Sequence, residues 1–171
     1  MNNPSPAVRQ APIDPQTLTD VLVLLADLDD ARILPRRVVS ISVDLVLAWA
    51  WNPGRLERCL QKLAEGEKAP PIHVNRYRLN GATWYVVADG RHRTVAAREA
   101  GQPRIAAVVG SEVVCRPEQY RVDAAHGKLW QQFVDPRYGP CLKHVAGDLS
   151  EEMQAALLAV GVPARKETVP A

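Results

Sequence analysis

Residues 84–109 read WYVVADGRHRTVAAREAGQPRIAAVV, and no other stretch restricts the fold as much. Trp84, Tyr85, Val86 and Val87 form an apolar run of strand-favouring residues, the pattern of a buried strand. Asp89-Gly90 turns it, glycine supplying backbone freedom and letting another group approach closely. A helix is predicted to open on Arg91-His92-Arg93, to continue through Ala96, Ala97 and Ala100, and to stop at Gly101 and Pro103. Residues 104–109 then form a second apolar strand. Such a unit brings the unpaired N–H groups and the positive dipole end of a helix beside two arginines and a histidine, a recipe for holding an anion. Cationic groups at a helix start are disfavoured by the dipole unless an anion offsets them.

The chain has 171 residues, enough for one domain with a sizeable core. Its net charge of +2 does not by itself announce a nucleic-acid partner. Local clustering does more, because Arg76, Arg78, Arg91, Arg93, Arg98 and Arg104 all fall in or beside the motif region. Three widely spaced cysteines, Cys59, Cys115 and Cys141, argue against a disulfide scaffold and for a reducing compartment. No leader pattern opens the chain, and the longest apolar stretch, residues 38–51, is short and interrupted by Asp44, so a soluble cytoplasmic protein without a membrane partner is expected.

In chain order, residues 1–13 read as a disordered, proline-containing arm. Asp14-Pro15 starts a helix whose Leu18, Val21, Leu22, Leu25 and Leu28 make an apolar stripe. That face serves either the core or a protein partner. Residues 31–41 are a strand broken by Pro35, with Arg36 and Arg37 at a solvated edge or near a ligand. Ser42 is placed to cap a helix over residues 43–51, and a second helix, residues 55–64, buries Leu56, Cys59, Leu60 and Leu63. Asn80-Gly81 is a hairpin signal joining residues 72–79 to residues 83–88. Gly110-Ser111 turns the chain before a short extra strand at residues 112–115. Residues 117–134 read as helix and residues 153–160 as a last one, so residues 116–163 form a helical extension to a domain at residues 14–115, with residues 164–171 a disordered tail. The last helix is a second face open to a protein partner. Cys141 and His144, with His126, have incomplete spacing for zinc.

Asp89-Gly90-Arg91-His92-Arg93 with Ala96-Ala97 and Gly101, preceded by Gly66 and by Pro70-Pro71-Ile72-His73-Val74, resembles the central motif of the ParB/sulfiredoxin-like superfamily. ParB partition proteins have G-E-R-R-x-R-A there, and sulfiredoxins G-C-H-R-x-x-A. The free-serine kinases of the same superfamily have a motif of the form D-G-x-H-R. The resemblance covers residues 33–110 and implies an α+β fold: a small mixed sheet with packed helices, followed here by the helical C-terminal extension. It implies a nucleotide at the turn, ATP or another nucleoside triphosphate with Mg²⁺.

On this resemblance Arg93 and His92 contact phosphate oxygens, the Gly90 and Arg91 amides complete the cradle, and Pro71 and Ile72 border the nucleotide. Thr94 either adds a hydroxyl to the phosphate or is a surface residue. Arg91 departs from the relatives, which have a cysteine or a glutamate there; an arginine is neither nucleophile nor base. Asp89 either holds the Mg²⁺ or caps the helix, or does both. Glu65 and Glu67 flank Gly66 as general bases or as solvated loop residues. Asp89, His92 and Arg93 are thus the catalytic candidates. The leading expectation is Mg²⁺-dependent nucleoside triphosphate hydrolysis, with DNA binding or cleavage as a companion. The alternatives are a non-catalytic DNA-associated regulator with nucleotide as a switch, and a small-metabolite kinase of the free-serine kinase type.

Overall fold

The computed structural model describes residues 13–166; the expected arm, apart from Ile13, and most of the expected tail lie outside them. Asp14 starts α1 (Pro15–Leu24) as predicted, its carboxylate accepting from the Gln16 and Thr17 amides. Val21, Leu22 and Leu25 of its stripe are fully buried, but the helix stops before Leu28, which is 75 % exposed on β1 (Ala26–Ile33). The chain breaks at Pro35, as that residue demands, and resumes as β2 (Val38–Ser42).

The expected helix over residues 43–51 does not form. A 3₁₀ turn at Val43–Leu45 leads into β3 (Val46–Leu47), which pairs parallel with the strand that carries the motif. The cause is long-range: the Arg98 guanidinium donates to the Val43 and Val46 carbonyls at 3.1 and 2.7 Å, taking acceptors a helix would use internally. Asn52 then caps α2 (Pro53–Ala64), accepting from the Arg55 amide. This helix contradicts the expected buried face, because none of its residues is buried. Leu56, Cys59, Leu60 and Leu63 are half-covered, and the helix stands as the wall of a cleft instead.

β4 (Ile72–Leu79) and β5 (Ala82–Asp89) are the predicted antiparallel hairpin, with Asn80 and Gly81 both at positive φ in the turn. α3 (Arg91–Glu99) and β6 (Arg104–Cys115) complete the motif unit. β6 is one strand of twelve residues; the expected turn at Gly110-Ser111 is absent. Its first half pairs with β2, its second with β1, and both halves lie parallel to β4. A bulge at Asn75, whose amide oxygen accepts from the Ser111 hydroxyl at 3.0 Å, absorbs the irregularity. The mixed sheet has the order β1-β6-β4-β5-β3, with β2 also on β6.

The helical extension is largely a correction. After a 3₁₀ turn at Pro117–Gln119, residues 120–146 form β7 (Tyr120–Asp123), β8 (Lys128–Asp135) and β9 (Gly139–Ala146), an antiparallel three-stranded sheet. Tyr120 and Val122 alternate inward along β7, and this period of two, not the helical one, carries the burial. Only α4 (Glu151–Ala159), capped by Ser150, is helical. Ala164 and Arg165, expected to be in the disordered tail, bind β7: Arg165 donates its amide to the Val122 carbonyl and its guanidinium to Asp123.

Residue 115 is not a core boundary. Leu22, Leu25, Tyr77, Val113, Tyr120, Leu129, Leu157 and Val162 form one cluster that joins both sheets to α1 and α4. Those two helices pack on each other and into this core. Cys115 lies there too, its thiol pushed up to about 12 by burial, so it behaves as a small apolar residue. Among the described residues all three cysteines are free, no group of His, Cys, Asp and Glu could hold a metal, and no helix is long and apolar enough to cross a membrane.

Candidate functional site

The amino end of α3 points into a cleft of about 870 Å³ bounded by α2, the loop at residues 67–70, the end of β5 and the start of β6. Side chains that would otherwise repel one another converge here. Arg55, Arg58, Lys62, Lys68, Arg91, Arg93 and Arg104 line the cleft, against only two carboxylates, Glu67 and Asp89. Each carboxylate is already paired, Glu67 with Lys62 at 3.2 Å and Asp89 with Arg93 at 2.7 Å. Seven cations lining one cleft of a chain with net charge +2 make a strongly positive concavity.

Gly90 sets the geometry of the turn. It is the N-cap of α3 with φ of 104°, and a Cβ there would lie 2.5 Å from Cγ2 of the fully buried Ile72. Asp89 is therefore not the N-cap. Asn and Ser residues cap α2 and α4 and Asp14 caps α1, but no side chain caps the first amides of α3. That open end faces the cleft.

The motif side chains divide by role. Arg93 is a clamp: its guanidinium donates to the Pro70 and Pro71 carbonyls at 2.7 and 3.0 Å and to Asp89 at 2.7 Å, tying the 67–71 loop to the end of β5. Pro71 and Ile72 thus shape the site through backbone and packing. Thr94 is neither a surface residue nor open to a ligand; it is fully buried and its hydroxyl donates to the Gly90 carbonyl at 3.0 Å. Arg91 lies over the Trp49 ring at 4.4 Å. Glu65 ends α2, accepts from Gln61 and does not line the cleft, whereas Glu67 does.

His92 is a latch between α3 and the start of α2. Only 9 % exposed, it accepts the Asn52 amide on Nε2 at 3.2 Å and meets the Trp51 ring edge-on, centroids 5.2 Å apart. An imidazole that accepts on Nε2 is neutral, with its proton on Nδ1. Burial, then the nearby Arg55 and Arg91 charges, lower its pKa below 6.5. A depressed histidine favours the folded state while neutral, so stability is fully present above 6.5 and declines as pH falls through the lower folded value. His92→Gln keeps an acceptor but cannot titrate. Urea midpoints measured across mildly acidic pH are expected to fall more steeply for the wild type than for this variant; parallel curves would remove the latch.

The arginines grouped together in the sequence separate in space. Arg91, Arg93 and Arg104 reach the cleft, Arg98 holds the 3₁₀ turn, and Arg76 pairs with buried Glu112 at 2.7 Å on the other half of the sheet. Arg78 adds its charge near that glutamate. Missed by the motif were Trp51, Arg55, Arg58, Lys62 and Lys68. The signal for three of them was present, since Arg55, Arg58 and Lys62 recur at i, i+3 and i+7 and so share one face of α2.

No family model and no curated protein matches the chain. Among solved structures, a conserved hypothetical protein from Pyrococcus furiosus is similar at 14 % identity and TM-score 0.36, over 74 % of this chain and 66 % of that one. A glutamate-to-glutamine mutant of a free serine kinase in complex with AMP is similar at 14 % identity and TM-score 0.37, over 76 % and 65 %. A glutamate-to-alanine mutant of a free serine kinase in complex with ADP is similar at 15 % identity and TM-score 0.36, over 76 % and 66 %. The chain spans just under two thirds of the length of each.

Proposed function

We propose that the cleft binds a nucleoside triphosphate, ATP or a close analogue, through its phosphates, and that the protein transfers the terminal phosphoryl group. One observation carries the reading: the uncapped amino end of α3 opens into a cleft lined by seven cations and two carboxylates. The carboxylates pair with Lys62 and Arg93, which leaves Arg55, Arg58, Lys68, Arg91 and Arg104 without an acidic partner among the described residues. Uncompensated cations around a helix amino end are stabilised by an anion of several charges, which a triphosphate supplies. Of these, Arg55, Arg58 and Lys68 are the direct phosphate contacts, with the α3 amides and Arg91 at the base, while Arg104 donates to the Ser40 hydroxyl and carbonyl and adds its charge to the rim. Arg93 and His92 act by holding the walls.

Among the described residues no cluster of acidic side chains would hold Mg²⁺ by itself, so in this reading the ion would arrive on the phosphates, and Asp89, exposed and engaged only through Oδ2, would be its protein ligand. Bound there, the ion would neutralise charge on the transferred group. Asp89 would orient it, and the cationic wall would stabilise the charge that develops on the phosphoryl oxygens. Glu67 is the remaining cleft carboxylate and the general base of this reading, taking the proton of the acceptor. Water as acceptor makes the protein a hydrolase. A small metabolite's hydroxyl makes it a kinase, and the cleft volume favours that version, since 870 Å³ is at the upper end of small-ligand pockets and leaves room beside a nucleotide.

The test is calorimetric titration with ATP–Mg²⁺ and with inorganic tripolyphosphate, followed by measurement of released phosphate with and without small alcohols. Arg58→Glu is expected to weaken both ligands about tenfold at low salt, with little change in melting temperature. An affinity indifferent to that reversal would end the proposal.

A further inference from the structure

Trp51 stands at the rim of the cationic cleft and is 58 % exposed, a large apolar ring left open beside seven charges. Its position is not loose. The neighbouring Asn52 amide is held by His92, whose ring meets the indole edge-on, and Asn52 caps the helix that forms the cleft wall. The Arg55 guanidinium lies 5.3 Å from the indole centroid. Arg55 has no acidic partner among the described residues, so this cation–π contact holds it weakly, and its charge is free to turn toward an anion.

We propose, resting on the phosphate-binding reading above, that Trp51 is the platform on which the flat aromatic part of the ligand stacks. The base takes the place of the Arg55 guanidinium on the indole, and the released guanidinium turns to the phosphates. The site then recognises two things at once, an aromatic ring at the rim and a polyanion at the α3 amino end. Base–aromatic stacking tolerates any base because it reads the π-face and not the hydrogen-bonding edge. Arg55 links the halves, since vacating the ring and engaging phosphate are one movement.

The test compares ATP with inorganic tripolyphosphate, which has the charge but no ring, on wild type, Trp51→Ala and Trp51→Phe. Trp51→Ala is expected to weaken ATP about tenfold and to leave tripolyphosphate within about twofold, so that the preference for ATP collapses. Trp51→Phe, which keeps an aromatic face, is expected to restore most of the preference. Equal losses for both ligands would mean that Trp51 only supports the fold, and an unchanged preference would mean that the ring binds elsewhere; either result overturns the assignment while the anion site stands. Failure of the wild type to bind tripolyphosphate or ATP would overturn the phosphate reading and this one with it.

Discussion

Gly90→Ala is expected to lower stability by about 4 kcal/mol and the melting temperature by roughly 8–16 °C, the largest effect of any glycine-to-alanine change among the described residues. Two costs combine. At φ of 104° an L side chain is strained, by about 1–3 kcal/mol. The new methyl would also lie 2.5 Å from Cγ2 and 2.9 Å from Cβ of Ile72, which is fully buried and has nowhere to retreat. Overpacking of that kind costs about 1–3 kcal/mol more. Gly81→Ala separates the two, because Gly81 has φ of 79° with nothing within 4 Å of an added Cβ. It should show the backbone cost alone, about 1 kcal/mol or slightly above. Urea unfolding of both variants checks this; a Gly90→Ala no worse than Gly81→Ala would mean that the close approach of β4 to the motif turn does not exist. Because the same methyl would sit 3.1 Å from the Arg93 guanidinium, the proposed binding of ATP is expected to weaken in the folded fraction as well.

Glu112→Ala is expected to cost about 3 kcal/mol. Glu112 is 2 % exposed in the second half of β6, paired with Arg32 and, at 2.7 Å, with Arg76. Arg76 Nε has no aligned hydrogen-bond acceptor, so Coulomb attraction to this carboxylate is what keeps the guanidinium there. Deleting the carboxylate leaves a partly buried cation uncompensated, a larger loss than the net contribution of the intact pair. Glu112→Gln should cost less, because it keeps an oxygen acceptor without the charge. The pH dependence has a definite sign. The hydrogen bond from Arg32, then the Arg76, Arg32 and Arg78 charges, hold the folded carboxyl below its ordinary 4.5 despite burial. Its stabilisation is therefore complete above 4.5 and is lost as pH falls through the lower folded value. The gap in urea midpoint between wild type and Glu112→Gln should be widest near neutrality and close in acid; a gap independent of pH would show that the charge contributes nothing.

Both residues illustrate what could be read in advance. Gly90 was legible as a turn residue, since a glycine between a strand pattern and a helix pattern has a local meaning. That its neighbour would be Ile72, eighteen positions earlier, was not. Glu112 was taken as part of a short strand after a turn. Its burial among arginines from two other strands depends on the β1-β6-β4 order, which no local pattern encodes.

What the sequence by itself determined was the set of elements whose signals are local. Asp14-Pro15 starts α1, Asn80-Gly81 makes the hairpin, and the strand, turn, helix and strand of residues 84–109 stand where their apolar periods and breakers place them, because capping, turn geometry and periodicity act over a few residues. Only the tertiary structure decided the rest. Residues 43–51 are not helical because Arg98 claims their carbonyls, and β7–β9 are strands because both sheets share one core. The cleft takes its charge from α2 and the 67–70 loop as much as from the motif, while Arg93 and Thr94 turn inward to hold it. Whether a cation faces a ligand or a backbone carbonyl is settled by groups that meet only once the chain has folded.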